Sequence, residues 1–239
     1  MAAAANAAVA AKQTVSFEVG DYSGKDPVGT GQLRFGDDGS AIAMRSVQDG
    51  EEFEFRAVDG VIYMKATGEL GGMAGGKPWL TFSEDGDDPI SQVMGGLLTG
   101  MAKEVDPART FEITDAAGSI ASAESDMIDG DAVMRYTIDL ETERLIDHVA
   151  NTSGKDSLQV KAMRTALDQG VTSVSTEVWL DGDDLPRRFV VADVPALAQD
   201  GAPSGDGLPR VTITYSDWGG DVDVDAPPQN EVGTVQMPG

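Results

Sequence analysis

Pro89–Val105, PISQVMGGLLTGMAKEV, is the longest clean helical signal in a chain that otherwise reads as β-strand. Ile90, Val93, Met94, Leu97, Leu98, Met101 and Val105 recur at the spacing of one helical face. Asp88 is placed to cap the start, with Pro89 at the first helical position. Gly95, Gly96 and Gly100 sit inside, each costing about 1 kcal/mol relative to alanine. An apolar helix that keeps these glycines has given up stability for close approach, mobility or space. It either caps the core of a curved sheet or covers a cavity that something else must fill.

On the N-terminal side of this helix the period changes to two. Ala2–Lys12 is a helix candidate of about three turns by its alanine content. Val15, Phe17 and Val19 then alternate with Ser16, Glu18 and Gly20 along a strand, and Leu33 and Phe35 do the same in the next. Met44 shares a face with Ile42 and Ser46, Phe55 with Phe53, and Met64 lies in the strand Val61–Ala66. Asp37-Asp38-Gly39, Gln48-Asp49-Gly50 and Asp59-Gly60 are the turns between these strands, so the segment reads as a meander of antiparallel hairpins. Gly68–Gly76, GELGGMAGG, reads as a flexible loop. It is not a phosphate cradle, because Lys77 precedes Pro78 rather than serine or threonine. Trp79–Ser83 is a short strand, and the acidic turn Glu84–Asp88 leads into the helix.

On its C-terminal side, Asp106–Ala117 is ambiguous and reads as a short helix plus connection. Gly118–Ile128 and Ala132–Leu140 are strands around Asp129-Gly130-Asp131, with Met134, Tyr136 and Ile138 alternating against Arg135 and Thr137. Thr142–Asn151 and Lys155–Gln169 are helical, with Gly154 and Gly170 as stops. Strand returns at Val171–Leu180, where Val174, Val178 and Leu180 share a face, and at Leu185–Val194 through Phe189 and Val191. Pro195–Pro209 is a loose connection. Arg210–Ser216 carries Ile213, and the tail from Gly219 follows the sheet before fraying. The pattern, about ten strands with helices before, in the middle and again between the two strand blocks, is α+β: one large curved antiparallel β-sheet with helices covering its concave face. The mouth of such a sheet is a common ligand site. The residues expected to line it are the inward members of the alternation: Phe17, Leu33, Met44, Phe55 and Met64; Met94, Leu97, Leu98 and Met101 of the helix; and Met134, Tyr136, Ile138, Val178, Val191 and Ile213.

Composition narrows the function classes. The chain has 239 residues, 41 Asp+Glu against 17 Lys+Arg, and a net charge of −24. Its pI is near 4.1 and its mean hydropathy is −0.19. That field repels nucleic-acid phosphates and does not favour general docking on anionic lipid head groups. There is no cysteine and one histidine, His148. Thiolate metal sites, cysteine nucleophiles and histidine-based metal clusters are excluded within the chain. No run is long enough to span a membrane as a helix, and the start, MAAAANAAVAA, lacks the features of a secretory leader.

Catalytic and metal signals are weak. DGDD at 181–184 and GDVDVDAP at 220–227 superficially suggest calcium loops. Counted from Asp221, however, positions six and twelve are Ala226 and Val232, where an EF-hand needs glycine and glutamate. Asp221, Asp223 and Asp225 alternate onto the wet side of an extended segment. His148 follows Asp147 near the end of a short helix, and GAPSG at 201–205 is not a nucleophile elbow. No carboxylate pair stands out among so many. Neither a metal nor a cofactor is expected. The ten methionines are the more suggestive feature, since methionine suits surfaces that accept varied apolar partners.

Four segments carry a family resemblance. Asp59–Lys65, DGVIYMK, Lys77–Phe82, KPWLTF, Val178–Phe189, VWLDGDDLPRRF, and Val211–Pro228, VTITYSDWGGDVDVDAPP, resemble in order and spacing the actinobacterial LppX/LprAFG lipoproteins. The resemblance runs from about Val15 to Pro228. It implies a half-barrel similar to the LolA/LolB carriers, with an apolar cavity for the acyl chains of lipids or lipoglycans. In that frame the chain is a single domain: helix 1–12, half-barrel 13–228 and flexible tail 229–239. The resemblance also implies an extracytoplasmic protein held at the cell surface by an acylated N-terminal cysteine. No such cysteine is in this sequence, so the anchor is expected upstream of Met1. The family has no catalytic motif to transfer. The expected function is therefore non-enzymatic binding or carriage of lipid or lipoglycan. The alternative is an envelope sensory or protein-interaction module that uses the sheet surface.

Overall fold

The computed structural model describes residues 1–21, 27–36, 40–48, 50–83, 89–192 and 210–235. The turns expected at 37–39, 49 and 84–88 and the connection 195–209 lie outside them, as does the capping residue Asp88. The helices are α1 (Ala2–Lys12), α2 (Gly68–Met73), α3 (Pro89–Glu104), α4 (Pro107–Ala117), α5 (Thr142–Ser153) and α6 (Leu158–Asp168). The strands are β1 (Thr14–Asp21), β2 (Pro27–Arg34), β3 (Ala41–Gln48), β4 (Glu51–Val58), β5 (Val61–Lys65), β6 (Trp79–Phe82), β7 (Gly118–Ile128), β8 (Asp131–Glu141), β9 (Ser173–Leu180), β10 (Pro186–Ala192), β11 (Arg210–Ser216) and β12 (Val232–Gly233). They hydrogen-bond in the order β12-β6-β5-β4-β3-β2-β1-β11-β10-β9-β8-β7, an open sheet with different strands at its two ends. The short β12 pairs with β6 in parallel. The α+β class and the large antiparallel sheet are those the alternation predicts.

The chain divides into two compact units. One contains Lys12–Glu18, Pro27–Asp106 and Tyr215–Gly239. Its register places apolar residues in rows across four or five strands. One row is Leu33, Ile42, Ala57, Ile62 and Phe82; the next is Gly31, Met44, Phe55, Met64 and Leu80. Because side chains alternate along each strand, all of these share one face. Most are buried: Leu33, Phe55 and Leu80 have no exposed surface. Gly31 is required by this packing. A Cβ there would lie against the Phe17 ring and 2.5 Å from the carbonyl oxygen of Ala43. Tyr215 is fully buried in the same unit and donates its hydroxyl to the Val105 carbonyl at 2.7 Å.

The other unit contains Met1–Ala11, Val19–Asp26 and Pro107–Thr214. Ala123, Tyr136, Val178, Phe189 and Ile213 form one row across β7–β11. Helix α4 packs Phe111 edge-on against Phe189, with ring centroids 5.3 Å apart. The ambiguous stretch before β7 is thus helical throughout Pro107–Ala117. Pro107, Phe111, Thr114 and Ala117 provide its buried side. It passes directly into β7 through Gly118, where a Cβ would sit 2.5 Å from the Thr114 carbonyl oxygen. Helices α5 and α6 close a helical core of Leu145, Ile146, Val149, Val160 and Met163.

Two expectations need correction. Gly68–Gly76 is not a plain loop, because Gly68–Met73 form α2. Leu70, Met73 and Ala74 recur at helical spacing, and Ala74 is buried. That local period outweighs the glycine cost. The second concerns α3. Its buried positions are Ser91, Gly95 and Leu98, whereas Val93 is 70% and Leu97 56% exposed. At 100° per residue the apolar stripe is rotated about a quarter turn away from the buried side. The stripe covers the sheet with one margin and leaves the other open.

Candidate functional site

Helix α3 packs against β5 and β6 at one end of the sheet. Leu98, 1% exposed, is its anchor. Met94 and Met101 are half-buried at the margin, and Val93 and Leu97 continue the stripe into solvent. On the outer side, Gly96 and Gly100 have open space where a Cβ would stand. The arrangement is an apolar flank running along the edge of a helix whose Gly96 and Gly100 do not serve packing. Chemically it offers dispersion contacts and water exclusion to an apolar chain, and no charged group.

The structure brings the expected cavity residues together in two sets. Leu33, Met44, Phe55 and Met64 share one face of β2–β5, with Phe17 against Gly31. Met94, Leu97, Leu98 and Met101 lie along α3 as just described. In the other unit, Tyr136, Val178 and Ile213 share one row, and Met134 and Ile138 occupy the rows to either side. Ile138, Val178 and Ile213 are buried, Tyr136 is half-buried and Met134 is 37% exposed. Val191 pairs with Val211 in register, and its side chain lies outside the described ones.

The opposite face of β2–β6 was not anticipated as a site. Here Thr30, Arg45 and Glu54 are cross-strand neighbours. Glu54 is 5% exposed and accepts from Arg45 at 3.2 Å and Lys65 at 3.0 Å. Burial alone would raise its pKa, but those two hydrogen bonds and charges outweigh it and hold the carboxyl below its ordinary value. Arg56 lies over the Trp79 ring, 5.5 Å from its centroid. It also bonds to Asp223 of the C-terminal segment. That segment crosses this face, burying Val224 against Ala41 and Val58 and pairing Asp225 with Arg34 at 3.0 Å. The aspartates 223 and 225 are exposed, as the alternation predicts, but they also serve as straps. Two open clefts of about 360 and 370 Å³ remain on this face, sharing Thr30, Arg45 and Glu54, and Asp223 of the segment lines the second. The sequence signal was present in the polar half of each alternation, in Arg45, Glu54 and Lys65. Only the register shows that they meet.

A second polar cluster lies in the other unit, across β7–β10. Trp179 donates its indole N–H to Asp126 at 2.9 Å, between Arg135 and Arg188. Arg135 bonds to Glu177. Asp181 does not behave as a metal ligand, since its Oδ1 accepts the backbone N–H groups of Asp183 and Leu185 and closes the β9–β10 turn. Among the described residues no group of acidic or histidine side chains is arranged to hold a metal. No described helix is long and apolar enough to cross a membrane.

No family model matches the sequence, and no curated protein matches it. Among solved structures, the chain is similar to LprF from Mycobacterium bovis, with 13% identity over 95% of this chain and 94% of that one and a TM-score of 0.49. It is similar to the lipoprotein LppX from Mycobacterium tuberculosis, with 15% identity, coverage of 93% and 95%, and a TM-score of 0.49. A more distant likeness is to YmcC, a hypothetical lipoprotein of Escherichia coli K12: 8% identity, coverage of 94% and 90%, and a TM-score of 0.22.

Proposed function

We propose that this protein is a non-enzymatic lipid-binding protein of the cell envelope, and that the acyl part of its ligand lies along the apolar flank of α3. The observation that supports this most is the rotation of the α3 stripe. A helix selected only to cap a core would turn its whole apolar side inward, whereas here Val93 and Leu97 are exposed beside the half-buried Met94 and Met101. Burying such a surface under an acyl chain is favourable at about 25 cal/mol per Å². Placement at the envelope rests on the sequence resemblance, which also implies an acylated anchor upstream of Met1.

Incubation with phosphatidylglycerol vesicles followed by native mass spectrometry tests the reading. One diacyl lipid retained per chain is the expected result. A chain that emerges without lipid, yet recovers one stoichiometric protein from envelope extracts, would replace this reading with that of a protein-interaction module.

A further inference from the structure

The polar face of β2–β6 is independent of the acyl flank. The residues lining its clefts are near charge balance: Arg45, Arg56 and Lys65 against Glu18, Glu52, Glu54 and Asp223. A phosphate finds no net field of opposite sign there, and the carboxylate of Glu54 is already taken up by Arg45 and Lys65. What the clefts do offer is donors and acceptors at close spacing. An arginine has five N–H donors and a lysine three. Arg45 directs one bond to Glu54 and is 69% exposed at its side chain, and Lys65 likewise bonds Glu54 and is 38% exposed. The Nε of Arg56 is buried without a hydrogen-bond partner.

These groups are held in place. Glu54 is gripped from both sides, and its partners stand on paired strands rather than on loops. At the rim of the first cleft Val28 and Val47 are 53% and 64% exposed, beside half-buried Phe53. A ligand suited to this lining has little net charge, many hydroxyls that both donate and accept, and C–H faces to lay on Val28 and Val47.

We propose that this face binds a neutral saccharide. Each cleft is at the small end of the ligand-pocket range, which suits a short glycan segment. The proposal does not rest on the acyl reading.

The test is an amide NMR titration of the full chain with maltotriose, α-1,6-mannotriose and cellotriose, with inorganic phosphate in parallel. The expected result is saturable shifts at Thr30, Arg45, Ser46 and Lys65 with at least one trisaccharide. Two variants should each weaken binding about tenfold or more while leaving acyl-probe binding unchanged. Thr30→Trp fills the cleft from an exposed position, and Arg45→Gln keeps a donor for Glu54. Absence of shifts at about 10 mM of every sugar, equal shifts with phosphate, or sugar binding untouched by Arg45→Gln would each overturn the proposal.

Discussion

At Glu54 the balance of burial and pairing can be measured. Its folded pKa is held below the ordinary value of 4.5 by Lys65 and Arg45 acting against burial. The ionised form therefore stabilises the fold. That contribution is complete above the ordinary carboxylate range and is lost as pH falls through the lowered folded value. Glu54→Gln should lower the unfolding free energy by about 1–2 kcal/mol at neutral pH, a modest figure because both cationic partners are partly exposed. In urea denaturation the gap to the parent should shrink below the carboxylate range. Gly31 makes a second residue-scale case. Gly31→Ala should cost about 1–3 kcal/mol, because the added carbon meets the Ala43 carbonyl and the Phe17 ring, and backbone cannot step aside as a side-chain tip can.

At the scale of the element, α3 separates packing from availability. Leu98→Ala should destabilise by about 2–5 kcal/mol, since the side chain is buried over the sheet. Gly96→Ala and Gly100→Ala meet nothing within 4 Å and should each raise stability by up to about 1 kcal/mol through helix propensity alone. Thermal unfolding of the three variants checks both statements. This element also marks the limit of what the sequence reveals. The existence of α3 was legible from its 3.6-residue period, and its inward set was not. Periodicity locates a stripe, whereas Ser91 and Gly95, which a hydrophobicity pattern passes over, are the positions that face the sheet. The strands were more legible, because with period two an apolar side has only two possible directions. Met44, Phe55 and Met64 accordingly fall in one row. The helix α2 was hidden by its glycines, and the Arg45–Glu54–Lys65 contact was hidden because cross-strand register is not written locally.

At the scale of the whole molecule, the chain combines a large open sheet with a charge of −24. Self-repulsion of that size weakens the compact state and is screened by salt. The melting temperature should therefore rise between low and moderate sodium chloride, whereas a fold held mainly by its exposed ion pairs, such as Arg34–Asp225, would lose stability. The function proposed here requires that the apolar surface left on α3 be used by a ligand rather than merely tolerated. The most direct measurement is fluorescence titration with cis-parinaric acid of the parent and of Leu97→Gln, a substitution at a side chain 56% exposed. Saturable binding by the parent, weakened about tenfold or more in a variant of unchanged melting temperature, is the predicted result. No saturable binding, or equal binding by both, would contradict it.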